Sequence, residues 1–247
     1  MKPEIFAENL IFPEGSRWKN NKLIFSDIFS NEVLSFTEEG SKETVVKIDG
    51  LPVGLGWNQN NDLLINSLQD KKVLVFDGKT TKEYADIGAH ENNLINDMTT
   101  DASGRAYVGT VALESFNENI PIAPDNMPTF GSIMLVDTDG SVRRVADRMT
   151  FTNGMAISPD GKKLVVAETF AYRLSIFDIK PNGDLENRRI FADLGAPTDG
   201  ITMDAKGRVW VAIPYYTFGG PGGWVRVEDG GKISGKIDSD THGAFDC

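Results

Sequence analysis

A dipeptide that usually ends in glycine, then an apolar run, an Asp/Asn/Gly turn and a second apolar run, recurs through this chain. That recurrence limits what the chain can fold into. The fullest copy is Phe151 to Thr169, FTNGMAISPDGKKLVVAET. Asn153-Gly154 opens it, Met155-Ala156-Ile157 and Leu164-Val165-Val166-Ala167 are the apolar runs, and Ser158-Pro159-Asp160-Gly161 turns between them. Two short strands around a Gly-containing turn make a β-hairpin. Further copies begin at Glu14-Gly15, Val53-Gly54, Asn96-Asp97, Asp199-Gly200 and His242-Gly243. The spacing is about 40 to 46 residues, that of four-stranded propeller blades. One longer interval, between the third and fourth copies, holds a Pro- and Asn-rich insertion, Ser115 to Thr129, read as a loop on one face.

Several copies continue into a second hairpin that ends in an apolar run and an acid: LVFD, IMLVD, LSIFD. A blade is therefore two hairpins. No apolar pattern at helical spacing is sustained over three turns. The expected fold is all-β, a six-bladed β-propeller forming one domain over residues 1–247. Its sixth blade is expected to be incomplete, because only one strand follows His242. A β-sandwich is the competing architecture, but glycine, turn and both runs recur in register, which a sandwich does not require.

In a propeller the first strand of each blade lines a central channel, so one repeat position in every blade faces one axis. Those residues are Glu14, Val53, Asn96, Asn153, Asp199 and His242. Converging carboxylates repel and need a counter-charge. A metal ion is the simplest one, and Glu, Asn and Asp oxygens suit a hard divalent cation. The competing reading is hydrogen bonding to channel water. The chain has no HExxH, CxxC or EF-hand loop, so any metal site is assembled from distant repeats. The net charge of −11 argues against nucleic acid and anionic membranes as partners. The single cysteine, Cys247, excludes an intramolecular disulfide, and no run approaches the ~20 apolar residues that span a membrane. A soluble cytoplasmic protein is expected.

PEGSRW…LIFSDI, INDMTTDASGRAYVGT, FTNGMAISPDGKKLVVAET and PTDGITMDAKGRVWVA resemble the senescence-marker-protein/gluconolactonase (regucalcin-like) family, in order and spacing, from about Leu10 to Cys247. The resemblance implies a six-bladed propeller, one divalent cation and hydrolysis of lactones. It implies metal ligands at Glu14, Asn153 and Asp199, with Asp199 as the catalytic acid/base. Asn96 matches a residue that contacts water or substrate, and Glu114 an acidic substrate contact. Ca²⁺ is the first expectation for the cation, with Zn²⁺, Mn²⁺ or Mg²⁺ as alternatives. Sugar-lactonase members carry Arg two residues before the Asn96 position, where this chain has Leu94, so a less hydroxylated lactone is an alternative substrate. Two other functions compete: a non-catalytic propeller that binds calcium or a small ligand, and a promiscuous esterase or phosphotriesterase.

Other residues read as structural. Ser16 and Ser26 lack a Gly-x-Ser-x-Gly context. His90 reads as surface, and Trp18, Trp57 and Trp210 as anchors between blades. Tyr215, Tyr216 and Phe218 are placed at the pocket entrance, and Glu168 and Thr169 are left as structural.

Overall fold

The computed structural model describes residues 3–112, 130–215, 221–239 and 243–247. Its strands group into blades in chain order. The first holds β1 (Pro13–Lys19), β2 (Lys22–Asp27), β3 (Glu32–Thr37) and β4 (Lys42–Lys47). The second holds β5 (Pro52–Trp57), β6 (Leu63–Ser67), β7 (Lys72–Phe76) and β8 (Thr81–Asp86). The third holds β9 (Leu94–Thr100), β10 (Ala106–Val111), β11 (Gly131–Val136) and β12 (Val142–Met149). The fourth holds β13 (Thr152–Ile157), β14 (Lys163–Glu168), β15 (Arg173–Ile179) and β16 (Leu185–Asp193). The fifth holds β17 (Ile201–Met203), β18 (Val209–Tyr215), β19 (Pro221–Val227) and β20 (Ile233–Asp238). Each is a four-stranded sheet in which consecutive strands are hydrogen-bonded neighbours.

The turns follow from local side-chain chemistry. Asp101 Oδ1 accepts the Ser103 and Arg105 N–H groups at 2.9 and 3.0 Å, and its Oδ2 accepts Arg105 Nε at 2.7 Å. Asp204 repeats this with Lys206 and Arg208 at 2.9, 3.0 and 2.7 Å. The Arg208 hydrogen bond is the main reason the Asp204 carboxyl is held down to about 2. Gly104 and Gly207 close these two hairpins at φ of 86° and 76°, a region open to glycine at little cost.

The middle strands are covered on both faces, which explains their unbroken apolar runs: every residue of β10 and β11 is buried. The outermost strands are wet, as in β4. Two compact units divide the chain. One comprises Glu4–Val108 and Met134–Arg143, the other Met1–Pro3, Gly109–Ile133 and Arg144–Cys247. The first is cored by Leu64, Val73, Ile95, Met98, Val108 and Met134, with a second cluster around Val33, Leu55 and Ile65. The second is cored by Val165, Leu174, Phe191, Val209, Val211 and Val225. Each such side chain contributes about 1.5–3 kcal/mol on burial.

Three expectations change. The described residues hold five blades, not six with a partial sixth. After β20, Phe245 runs beside the fifth blade's first strand and accepts the Gly200 N–H at 2.9 Å. Residues 243–247 form no strand. The sixth entrance does not fall at Gly243. A Cβ on Gly200 would lie 2.7 Å from Asp246 Cα, whereas one on Gly243 would meet Pro214. Asp246, not Gly243, therefore stands at the glycine position of that entrance. Finally, Trp18 is 57% exposed and does not anchor blades. His242, Tyr216, Phe218 and the Ser115–Thr129 insertion lie outside the described residues. No helix among the described residues is long and apolar enough to cross a membrane.

Candidate active site

In three of the blades the dipeptide that opens the hairpin sits at a fault in the strand ladder. In β1 the register with β2 runs Glu14↔Ser26 and then Arg17↔Ile24. In β5 it runs Pro52↔Ser67 and then Leu55↔Ile65, and in β13 Thr152↔Glu168 and then Met155↔Val166. In each the first strand advances by one residue more than its partner. This is a β-bulge, which bends the strand and re-aims the side chain at the fault. Val53 and Asn153 are thus lifted out of the regular alternation by the same device, while Glu14 stays paired with Ser26 immediately before its fault.

The glycine serves the neighbouring blade. A Cβ on Gly15 would lie 2.5 Å from Val53 O, and one on Gly54 would lie 2.3 Å from Met98 N. A Cβ on Gly154 would lie 2.4 Å from Ile201 N and 2.8 Å from Asp199 O. At these three places the neighbouring backbones touch, leaving room only for hydrogen.

Within the second unit, this contact sets Asn153, on β13, beside the backbone of Asp199, just before β17. They are 8% and 7% exposed. The Asp199 N–H donates to Ala212 O at 3.0 Å, and Ala212 N–H returns to Gly200 O at 2.9 Å. Asn153 Nδ2 donates to Thr169 Oγ1 at 3.2 Å. A carboxylate and an amide oxygen, both nearly dry, one just before β17 and one in the bulge of β13, are donor types that suit a hard divalent cation. No group of three or more His, Cys, Asp or Glu side chains among the described residues could hold a metal ion.

In the first unit, Glu14 is half-buried on β1 and Asn96 half-buried on β9. The Asn96 carbonyl accepts Asn66 Nδ2 at 2.6 Å. Glu114 lies outside the described residues. Leu94 opens β9 and is half-buried. His90 is exposed, as expected of a surface residue.

Sequence reasoning missed Arg17. Its Nε donates to Leu55 O at 3.1 Å, and its Nη2 reaches Asp97 Oδ1 at 3.3 Å and Met98 O. A guanidinium thus ties the first strands of three successive blades and counters one inner carboxylate. The cue was a cation, three residues past Glu14, in a strand otherwise headed for the interior. Cys247 donates its thiol to Gly200 O at 3.2 Å. Burial pushes that thiol well above its usual range, and the Asp246 and Asp199 charges add to the push. It is therefore unsuited to act as a nucleophile.

The chain matches the family model for the SMP-30/gluconolactonase/LRE-like region over residues 12–244. Human regucalcin is 24% identical over 233 residues, covering 84% of this chain and 70% of that protein. A solved gluconolactonase from Xanthomonas campestris superposes with a TM-score of 0.79 at 21% identity, covering 98% of this chain and 80% of its own. A calcium-binding protein, regucalcin, from Agrobacterium tumefaciens gives 0.78 at 19% identity, covering 96% and 77%. These likenesses carry the fold, an all-β propeller with five blades described here. With nearly the whole length matched by one family model, the chain belongs to the SMP-30/gluconolactonase/LRE-like family.

Proposed function

We propose that the protein, as one propeller domain over 1–247, hydrolyses a lactone with the aid of one divalent cation. The observation that carries this is the pair Asn153 and Asp199, both more than nine-tenths buried at equivalent entrances of neighbouring blades. Family membership and the gluconolactonase likeness support the same reading. Glu14, Asn153 and Asp199 would hold the cation, Ca²⁺ first and Zn²⁺, Mn²⁺ or Mg²⁺ as alternatives. When bound, it polarises the lactone carbonyl and stabilises the developing oxyanion.

The chain's own residues supply the rest. Asp199 takes the proton from the attacking water as the new C–O bond forms. It then returns that proton to the ring oxygen as the old C–O bond breaks, giving the hydroxy acid. Asn153 contributes a neutral oxygen, Glu14 and Asp199 the charge. Asn96 orients water or substrate, and Glu114 contacts substrate. At the Arg position of sugar-lactonase members, Leu94 donates no hydrogen bond, which favours a lactone with fewer hydroxyls. The partner is a small molecule, with neither nucleic acid nor membrane.

A second reading, a non-catalytic cation-binding propeller, rests on the same Leu94. A pH-indicator assay over sugar lactones, aliphatic lactones and phosphotriesters, with each cation in turn, separates the two. Acid release from a lactone is expected, and loss of the Asp199 proton transfer in Asp199→Ala lowers kcat by about 100- to 10,000-fold. Wild-type rates in that variant would overturn the assignment.

A further inference from the structure

We propose that Thr169 is a positioning residue that sets which end of the Asn153 amide faces the cation, an inference that rests on the metal reading above. The Asn153 side chain is an amide with one acceptor end and one donor end, and only the oxygen end can ligate. The residue is 8% exposed, so an Nδ2 turned away from the cation needs an acceptor inside the protein or carries the cost of a buried, unmade hydrogen bond. Thr169 Oγ1 is that acceptor, at 3.2 Å. No donor among the described residues is directed at Asn153 Oδ1. The planar amide therefore turns its oxygen away from Thr169.

Thr169 is itself fixed. Its N–H donates to Phe151 O at 3.0 Å, and its carbonyl accepts the Tyr172 N–H at 3.3 Å. It opens a 3-10 turn directly after Glu168, the end of β14. Phe151 and Phe170 pack with ring centroids 4.7 Å apart across this junction.

Blades one and two supply an internal comparison. Ile28 N–H donates to Phe12 O and Leu68 N–H to Leu51 O, each at 3.0 Å. Phe12 and Leu51 lie two residues before the entrances Glu14 and Val53, as Phe151 lies two before Asn153, so Ile28 and Leu68 hold the place of Thr169. Both are apolar, and the entrance residues they serve are Glu14 and Val53. A carboxylate has two equivalent oxygens and a valine has none, so neither needs an end chosen for it.

The test is calorimetric titration of CaCl₂ and of MnCl₂ into metal-free protein without substrate, alongside thermal unfolding of the same metal-free samples. Thr169→Val keeps the shape and removes the acceptor, and is expected to weaken cation binding about 10- to 100-fold. Thr169→Ser restores it. In an Asn153→Asp background there is no amide to orient, and adding Thr169→Val causes no further weakening. The Asn153 side-chain NH₂ resonances, identified by their loss in Asn153→Asp, shift in metal-free Thr169→Val. Wild-type affinity in Thr169→Val, with or without a lower melting temperature, overturns this inference and leaves the metal reading standing. Failure of the wild-type protein to bind any cation overturns the metal reading, and this role with it.

Discussion

Glu168 carries a charge at zero side-chain exposure. Burial alone would raise its pKa. The Ser175 hydroxyl, the Thr150 N–H at 2.8 Å, the Arg188 charge and the Arg173 hydrogen bond outweigh that effect and hold the carboxyl below the usual range. Arg188 donates to both oxygens, at 2.8 and 2.9 Å. This acid pins the chain leading into β13, as Asp27 does for β1 by accepting the Phe12 N–H at 2.7 Å. Glu168→Gln removes one partner of a buried pair and is expected to cost about 3 kcal/mol. That is the low end for such pairs, because Arg173 and Arg188 keep 30% and 29% exposure. The sign with pH follows from the lowered folded pKa. The stabilisation is complete above the unfolded value of about 4.5 and is lost as pH falls through the folded value. Urea midpoints between pH 3 and 7 should fall towards acid in the wild type and fall less in Glu168→Gln. Parallel curves would show that another group governs the acid limb.

At the level of the strand, the bulge and its glycine divide the work. The bulge aims the entrance side chain, and the glycine lets the next blade approach. Gly154→Ala would press a methyl on Ile201 N and Asp199 O, both backbone, which cannot yield as a flexible side chain would. The expected loss is about 3 kcal/mol, the upper part of the range for overpacking. Gly161→Ala meets nothing within 4 Å but sits at φ of 71°, so only left-handed strain opposes it, about 1–2 kcal/mol. Denaturant midpoints should rank Gly154→Ala below Gly161→Ala, and equal losses would mean that the close approach relaxes freely. These elements also show what the sequence could disclose. Asn153-Gly154 and its hairpin are local, so residue order alone exposes them, as do the turns at Asp101 and Asp204. The bulge belongs to the pairing of two strands and has no signature in either. Thr169 lies sixteen positions from Asn153, and only the folded hairpin joins them. The sixth entrance was misplaced because glycine served as its marker, while Asp246 occupies the corresponding place beside Gly200.

Across the whole chain, the proposed ligands Glu14, Asn153 and Asp199 are far apart in sequence. An unfolded chain holds them at no fixed distance, so a cation bound by all three favours the folded state alone. Such a ligand stabilises by mass action, about 2.7 kcal/mol at a hundred times its dissociation constant. For a chain of this length each kcal/mol moves the melting temperature by about 2–4 °C, so saturating Ca²⁺ or Mn²⁺ should raise it by roughly 5–11 °C. The net charge of −11 offers a less specific route to the same sign, since any cation relieves self-repulsion. The two routes respond differently to salt. Charge screening is largely complete at 0.15 M NaCl, where the Debye length is about 8 Å, whereas coordination by buried oxygens persists there. The titration is therefore run in 0.15 M NaCl on wild type, Glu14→Gln and Asp199→Asn. The site reading requires a shift in the wild type that shrinks in both variants. An equal shift in all three would assign the effect to the surface charge and remove these residues from the ligand set.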